Sequence, residues 1–201
     1  MKLLGRAASI NVRKVLWTCA EMALDPEREE PDMAAPALRR LNPNAMVPVL
    51  LDGDFVLWES NSICRYLAGR EQRVDLLPTE PRARALVEQW MDWQAGELNN
   101  SWRYAFMSLV RRSPAHQDAG LLQGGVAGWN RHMGMLDERL AGSGPHVCGA
   151  AFTLADVVLG LSVQRWMMTD MDKPALPAVQ AYYERLSERP GFMAHGRNGL
   201  P

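Results

Sequence analysis

Cysteine is scarce in this chain of 201 residues: there are three, at positions 19, 64 and 148. They are widely spaced, odd in number and form no Cys-x-x-Cys pair. That excludes a disulfide framework and a thiolate zinc site, and it points to a reducing compartment, the cytosol. No apolar run approaches the ~18 residues of a membrane span. The opening Met-Lys-Leu-Leu-Gly-Arg also lacks the apolar core of a signal peptide. Charge of one sign is not in excess: the formal net charge is −1, so neither nucleic acid nor an anionic membrane is expected as a partner. Lysine is nearly missing, three residues in a Lys+Arg total of 22. The cations are therefore almost all arginine, whose fork suits planar anions. Internal repeats and low-complexity tracts are absent. What is there is an ordinary globular composition, 47% hydrophobic and 22% charged. Such a chain is long enough for one large domain or two small ones and can bury about 70% of its unfolded surface.

The most informative stretch runs from Asn42 to Tyr66. Two β-rich runs, Val47–Leu51 and Phe55–Trp58, flank Asp52-Gly53-Asp54, the composition of a hairpin turn. Glu59-Ser60 follows, and then Ile63, Tyr66 and Leu67 at helical spacing. Ser60 stands where an N-cap belongs, and the orphan amides of the helix behind it suit a carboxylate. Glu59 offers an anion for an ammonium group, so the pair fits an α-amino acid head. Val47-Pro48 is a candidate cis bond that would turn the Val47 N–H and C=O toward an extended peptide.

Upstream, residues 2–5 read as a strand and Arg6–Ser9 as a loop. A helical stripe then runs through Val12, Val15, Leu16, Cys19 and Met22, and Asp25-Pro26 ends it. Cys19 and Cys64 fall on apolar helical positions and read as buried hydrophobes. Glu27–Glu30 reads as an edge strand and Ala34–Leu41 as a short helix. This order predicts an α/β, thioredoxin-like N-terminal domain over 1–69, a linker over 70–81, and an all-α helical bundle over 82–201. In the bundle, one long helix is expected from about 83 to 112, with a kink or a cavity-facing polar patch in Gly96–Ser101. Ser113-Pro114 is expected to start the next helix, whose seam is Leu122, Val126, Trp129, Met133, Leu136 and Leu140. Thr153 and Asp156 match a capping box ahead of an apolar, central helix. A last helix is expected over about 176–187, with Arg189–Phe192 ending the fold.

Taken together, Asn42-Pro43-x-x-x-Val47-Pro48-x-Leu50, then Glu59-Ser60-x-x-Ile63-x-x-Tyr66-Leu67, resembles the glutathione-binding half of the glutathione S-transferase family. Phe152-Thr153-Leu154-Ala155-Asp156 is similar to the capping motif of that family's helical domain. Ser9-Ile10-Asn11-Val12 is similar to the Ser-x-Asn-Val of its serine-type members, notably the phi class and a group of bacterial transferases. The resemblance implies a homodimeric detoxification enzyme that uses glutathione as co-substrate and no metal. Ser9 would hold the glutathione sulfur as thiolate, with Asn11 as the alternative donor. Val47, beside Pro48, would bind the cysteinyl unit, and Glu59 and Ser60 the γ-glutamyl head. No tyrosine or cysteine stands in the first strand–helix loop, which disfavours the tyrosine-type and thiol-exchange variants.

Two departures from the family pattern stand out. Met46 replaces the usual glutamine before Val-Pro, and the segment from Leu24 to Leu41 is rich in Glu where basic or amide side chains would hold the glycyl carboxylate. The second substrate is expected against the long helix, among Arg6, Trp102, Arg103, Tyr104, Phe106, Met107 and Arg111. That lining suits a small electrophile, including one with an anionic group. The resemblance places the dimer interface around Arg65 and Asp92. A glutathione-dependent isomerase or dehalogenase, or a non-catalytic binding module on the same fold, are the competing readings.

Overall fold

The structure is a computed structural model, and it describes residues 1–199 and 201. Its N-terminal part carries β1 (Lys2–Leu4), α1 (Ile10–Glu21), β2 (Glu27–Glu29), α2 (Pro36–Leu41), β3 (Val49–Asp52), β4 (Phe55–Trp58) and α3 (Ser60–Arg70). The four strands form one mixed sheet in the order β2-β1-β3-β4, with β1 and β2 parallel and the other pairs antiparallel. Leu3 and Leu50, paired in register, are fully buried at its centre. This is the expected thioredoxin-like layer. β2 is indeed an edge strand, exposed throughout, with Lys2 bridging Glu27 and Glu29 across the pair.

Several boundaries differ from the sequence expectation for physical reasons. The cis Val47-Pro48 bond delays β3, which begins at Val49 rather than Val47. The first helix stops at Glu21, ahead of Asp25-Pro26, because Ala23 takes a left-handed φ of 54°. Ser60 is the first helical residue of α3, not its cap, and Glu59 occupies the cap position. The segment after α3 is pinned rather than loose: Leu76 and Leu77 are buried, and the Leu76 carbonyl accepts the Leu154 amide at 2.9 Å.

The C-terminal part is all helical, with α4 (Pro81–Trp93), α5 (Asn99–Leu109), α6 (Ala119–Ser143), α7 (Leu154–Met168), α8 (Pro177–Leu186) and α9 (Pro190–His195). The single long helix expected from 83 to 112 is two helices joined by a π-helical turn, Gln94–Leu98. Ser113-Pro114 starts no helix. Asp118 caps α6 instead, its Oδ1 accepting the Leu121 amide at 2.8 Å, while Ser113 is engaged by His116 and Gln117. The predicted α6 seam faces inward, with Trp129, Met133 and Leu136 fully buried. Gly125 is where α6 approaches closest, since a Cβ there would lie 3.2 Å from the Ala105 amide nitrogen.

The Thr153–Asp156 capping box forms as read. The Asp156 carboxylate accepts from the amides of Thr153 (2.8 Å) and Val147 (2.9 Å) and from the Tyr182 hydroxyl (3.0 Å). Residues 190–195 do not simply end the fold: they form α9, and Gly191 and Phe192 pack on Trp17 of α1. Trp17 also meets Gly160 of α7, where any side chain would press on its ring. One continuous apolar core therefore runs from α1 and α3 through α7 to α8 and α9.

Candidate functional site

Two helix N-termini and the cis-proline loop converge on one cleft. At the first, Ser9 is the cap residue of α1, half-buried and extended (φ −79°, ψ 123°). Its carbonyl accepts the Arg13 amide at 2.9 Å, but its hydroxyl makes no cap hydrogen bond. The hydroxyl is thus not committed to the helix it precedes. At the second, the Ile63 amide donates to the Glu59 carbonyl at 2.9 Å, so the amides of Ser60, Asn61 and Ser62 lie ahead of the first intrahelical bond. No side chain caps them. Glu59 has φ 72°, a strained conformation for a residue with a side chain, of the kind that surrounding structure imposes at ligand-binding positions.

The loop between α2 and β3 is built by Asn42. Its Oδ1 accepts the Asn44 amide at 3.0 Å, its Nδ2 donates to the Met46 carbonyl at 2.9 Å, and Ala45 takes φ 50°. This side chain, which opens the motif read in the sequence but was given no role there, holds the loop up to Met46 in place. Val47 itself lies outside the ladder. Among the described residues its N–H and C=O have no hydrogen-bond partner. An extended peptide chain laid beside it would meet one donor and one acceptor.

These groups line two adjoining cavities. The first, about 400 Å³, is bounded by Asn11, Val47, Pro48, Glu59, Ser60 and Arg103, with Asn42, Asn44 and Met46 at its rim. The second, about 590 Å³, is bounded by Ser9, Arg6, Trp102, Met107, Arg111 and Arg165, among others. Asn11, Met46, Val47 and Arg103 border both, which makes the two cavities one continuous cleft between the sheet layer and the bundle. Of the residues named from the sequence for the peptide site and the second-substrate site, all but Tyr104 line this cleft; the Tyr104 hydroxyl instead accepts the Asp118 amide at 3.1 Å and its ring packs on His116. The expected division is not strict: Arg103 also reaches the first cavity, Asn11, Met46 and Val47 also reach the second, and Ser9 lines only the second.

Three further contributors were not legible in the sequence. Arg165 and His116 come from segments far along the chain, and only folding brings them to the second cavity. Lys14 of α1 is fully buried behind the cleft. Its ammonium donates to Gln94 Oε1 at 2.7 Å and lies 3.4 Å from Asn61 Oδ1, while Gln94 Nε2 donates to Ser162 Oγ at 3.0 Å. Gln94, which opens the π-helical turn, faces inward to the lysine, whereas in the polar stretch after it Glu97 and Asn100 are exposed. Burial pushes the Lys14 pKa down to about 8. Among the described residues, no group of three or more His, Cys, Asp or Glu side chains could hold a metal, and no helix is long and apolar enough to cross a membrane.

A thioredoxin-like layer whose cis-proline loop and two free helix ends face a helical bundle has the build of a thiol transferase. Comparison with known proteins agrees. Residues 8–70 match the family model "Glutathione S-transferase, N-terminal domain", and residues 117–185 match "Glutathione S-transferase, C-terminal domain". Glutathione S-transferase GstB of Escherichia coli (strain K12) is 32% identical over 200 residues, spanning 94% of this chain and 93% of its own. Glutathione S-transferase 3 of Zea mays is 30% identical over 207 residues, covering 96% and 91%. The theta class glutathione S-transferase of Xanthomonas axonopodis pv. citri, solved with glutathione bound, superposes with a TM-score of 0.92 at 35% identity, covering 100% of this chain and 98% of that one. The chain belongs to the glutathione S-transferase family of enzymes.

Proposed function

We propose that this enzyme binds glutathione in the first cavity and transfers its sulfur to a small electrophile held in the second. The observation that carries the reading is the continuity of the two cavities, with Asn11 in the first turn of α1 bordering both and Ser9, its cap residue, lining the second. Glu59 pairs with the γ-glutamyl ammonium, and Ser60 with the free amides of α3 receives the α-carboxylate. The Val47 backbone pairs with the cysteinyl unit beside cis Pro48. Arg103, a cation at the wall of this cavity, offers a counter-charge for the glycyl carboxylate, which compensates for the acidic α1–α2 connection and for Met46.

Within the family we place the chain among the serine-type enzymes. The nucleophile is the thiolate, and a thiol near pKa ~8.5 is only about 3% ionised at pH 7. Lowering that pKa by about two units takes roughly 2.7 kcal/mol of preference for the anion. A hydrogen bond to a charged group contributes about 1.5–3 kcal/mol, and a helix N-terminus adds up to ~1 kcal/mol. The Ser9 hydroxyl and the start of α1 together suffice. Asn11, which lines both cavities, is the alternative donor. The reading divides the chain as 1–69, 70–81 and 82–201, works in the cytosol, and makes the enzyme a homodimer through the α3–α4 face, where Arg65 pairs with Asp92 and Glu88.

Retention on immobilised glutathione tests the binding half. The wild-type protein is expected to be retained and eluted by free glutathione, and Glu59→Ala to pass through. Passage of the wild-type protein would reject the reading in favour of a scaffold without this ligand.

A further inference from the structure

Arg165 of α7 is 4% exposed, and its guanidinium forms the inner wall of the second cavity. A buried arginine ordinarily has a carboxylate or a set of carbonyls around it, because an unpaired charge in the interior is expensive. Here, among the described residues, it makes no side-chain hydrogen bond and no ion pair, and its Nε is buried without a partner. What it does touch is aromatic: the guanidinium centre lies 4.7 Å from the Trp102 ring and 4.0 Å from the Phe106 ring. Cation–π contact offsets part of the burial but supplies no hydrogen-bond acceptor for the guanidinium N–H groups.

The cavity around it repeats the imbalance. Arg6, Arg103, Arg111 and His116 also line it, and none of its lining residues is Asp or Glu. Arg6 has a counterion outside the cavity, Glu30 at 3.5 Å, and Arg111 lies over the Phe106 ring at 5.5 Å. Burial, then the neighbouring Arg13 and Arg111, bring the Arg165 pKa down to about 9, so it stays charged at neutral pH.

We infer that the electrophile of this enzyme carries a carboxylate, which Arg165 receives over the Trp102 and Phe106 rings. The inference rests on the transferase reading and specifies its substrate class. A carboxylate supplies the bidentate acceptor that the guanidinium lacks, and a short acceptor then has its reacting carbon turned toward Ser9 and the sulfur. With a 2-halocarboxylate, the thiolate attacks the carbon bearing the halogen. A C–S bond forms, the C–halogen bond breaks, and halide leaves with the bonding pair. The thiol proton has already gone to solvent, and the carboxylate passes through unchanged.

The test uses two matched acceptors, iodoacetate and iodoacetamide, and their two products, S-carboxymethylglutathione and S-carbamoylmethylglutathione. Calorimetry on the wild-type protein is expected to show the carboxymethyl product binding at least ~10-fold more tightly than its amide. In Arg165→Met that preference should vanish, and in Arg165→Lys part of it should survive. Turnover, divided by the uncatalysed rate of each acceptor, should favour iodoacetate and lose the preference in the same variants. Equal affinities and equal rate enhancements in the wild-type protein would overturn the inference while leaving the transferase reading intact. Failure of the wild-type protein to bind either product would overturn both. The wild-type comparison stands even if Arg165→Met does not fold.

Discussion

Ser9 shows how far a single position was readable. The local pattern Ser-x-Asn-Val at the head of an amphipathic stripe gave both the helix start and a residue that lines the cleft. Whether that hydroxyl was spent on capping could only be answered in three dimensions, and it is not. Removing it should therefore cost reactivity and not fold. Ser9→Ala is expected to lower kcat/KM by ~10–100-fold at unchanged thermal stability, the value of one hydrogen bond to a thiolate. Unchanged turnover at saturating glutathione would shift the role to Asn11 or to the α1 amides. Ser60 is the counter-example. A serine before a helix reads as an N-cap, yet the cap position belongs to Glu59, because a residue held at φ 72° can turn the chain from β4 into α3.

At the level of elements, periodicity located α1, α3, the α6 seam and α7, since each buries an apolar face whose spacing is written in the chain. Where elements begin and end was less legible, because long-range partners decide it. The poor helix formers of Gly96–Ser101 flag an interruption there, but not that it is a π-helical turn beginning at Gln94. At that turn Gln94 meets Lys14, some eighty residues earlier, whose ammonium donates to the Gln94 side-chain oxygen at 2.7 Å. The arrangement ties α1, α3, the turn and α7 together behind the cleft. It also carries a pH signature. With a folded pKa near 8 against an ordinary 10.5, the unfolded chain binds more protons between those values, so this group's contribution to stability rises with pH across that window. The stability difference between wild type and Lys14→Met is expected to be flat below pH 8 and to rise by roughly 3 kcal/mol toward pH 10.5 in favour of the wild type. Denaturant titration at a series of pH values measures it, and a flat difference throughout would mean the lysine is not ionised differently in the two states.

For the whole molecule, the two-part architecture was legible because the change from mixed β and α patterns to purely helical spacing is abrupt near Pro81. The composition of the cleft was legible on both sides, less completely on the second, where Arg165 and His116 were missed. The peptide cavity is drawn mostly from the contiguous stretch 42–60, whereas the second cavity is assembled from residues spread between Arg6 and Arg165. Assembly beyond one chain follows the same logic. Sedimentation equilibrium is expected to return twice the mass of the 22.5 kDa chain, and charge reversal at Arg65 and Asp92 to weaken that association. A monomer at all concentrations would leave the cleft description intact and remove the dimer.

All of this depends on the state of one sulfur atom in the cleft. The direct measurement is a pH titration of the ultraviolet thiolate absorbance of glutathione bound to the wild-type enzyme and to Ser9→Ala. The expected result is an apparent pKa about two units below the free thiol's ~8.5 in the wild type, returning most of the way toward that value in the variant. Identical titrations in the two proteins, or a bound thiol that ionises as it does in water, would contradict it.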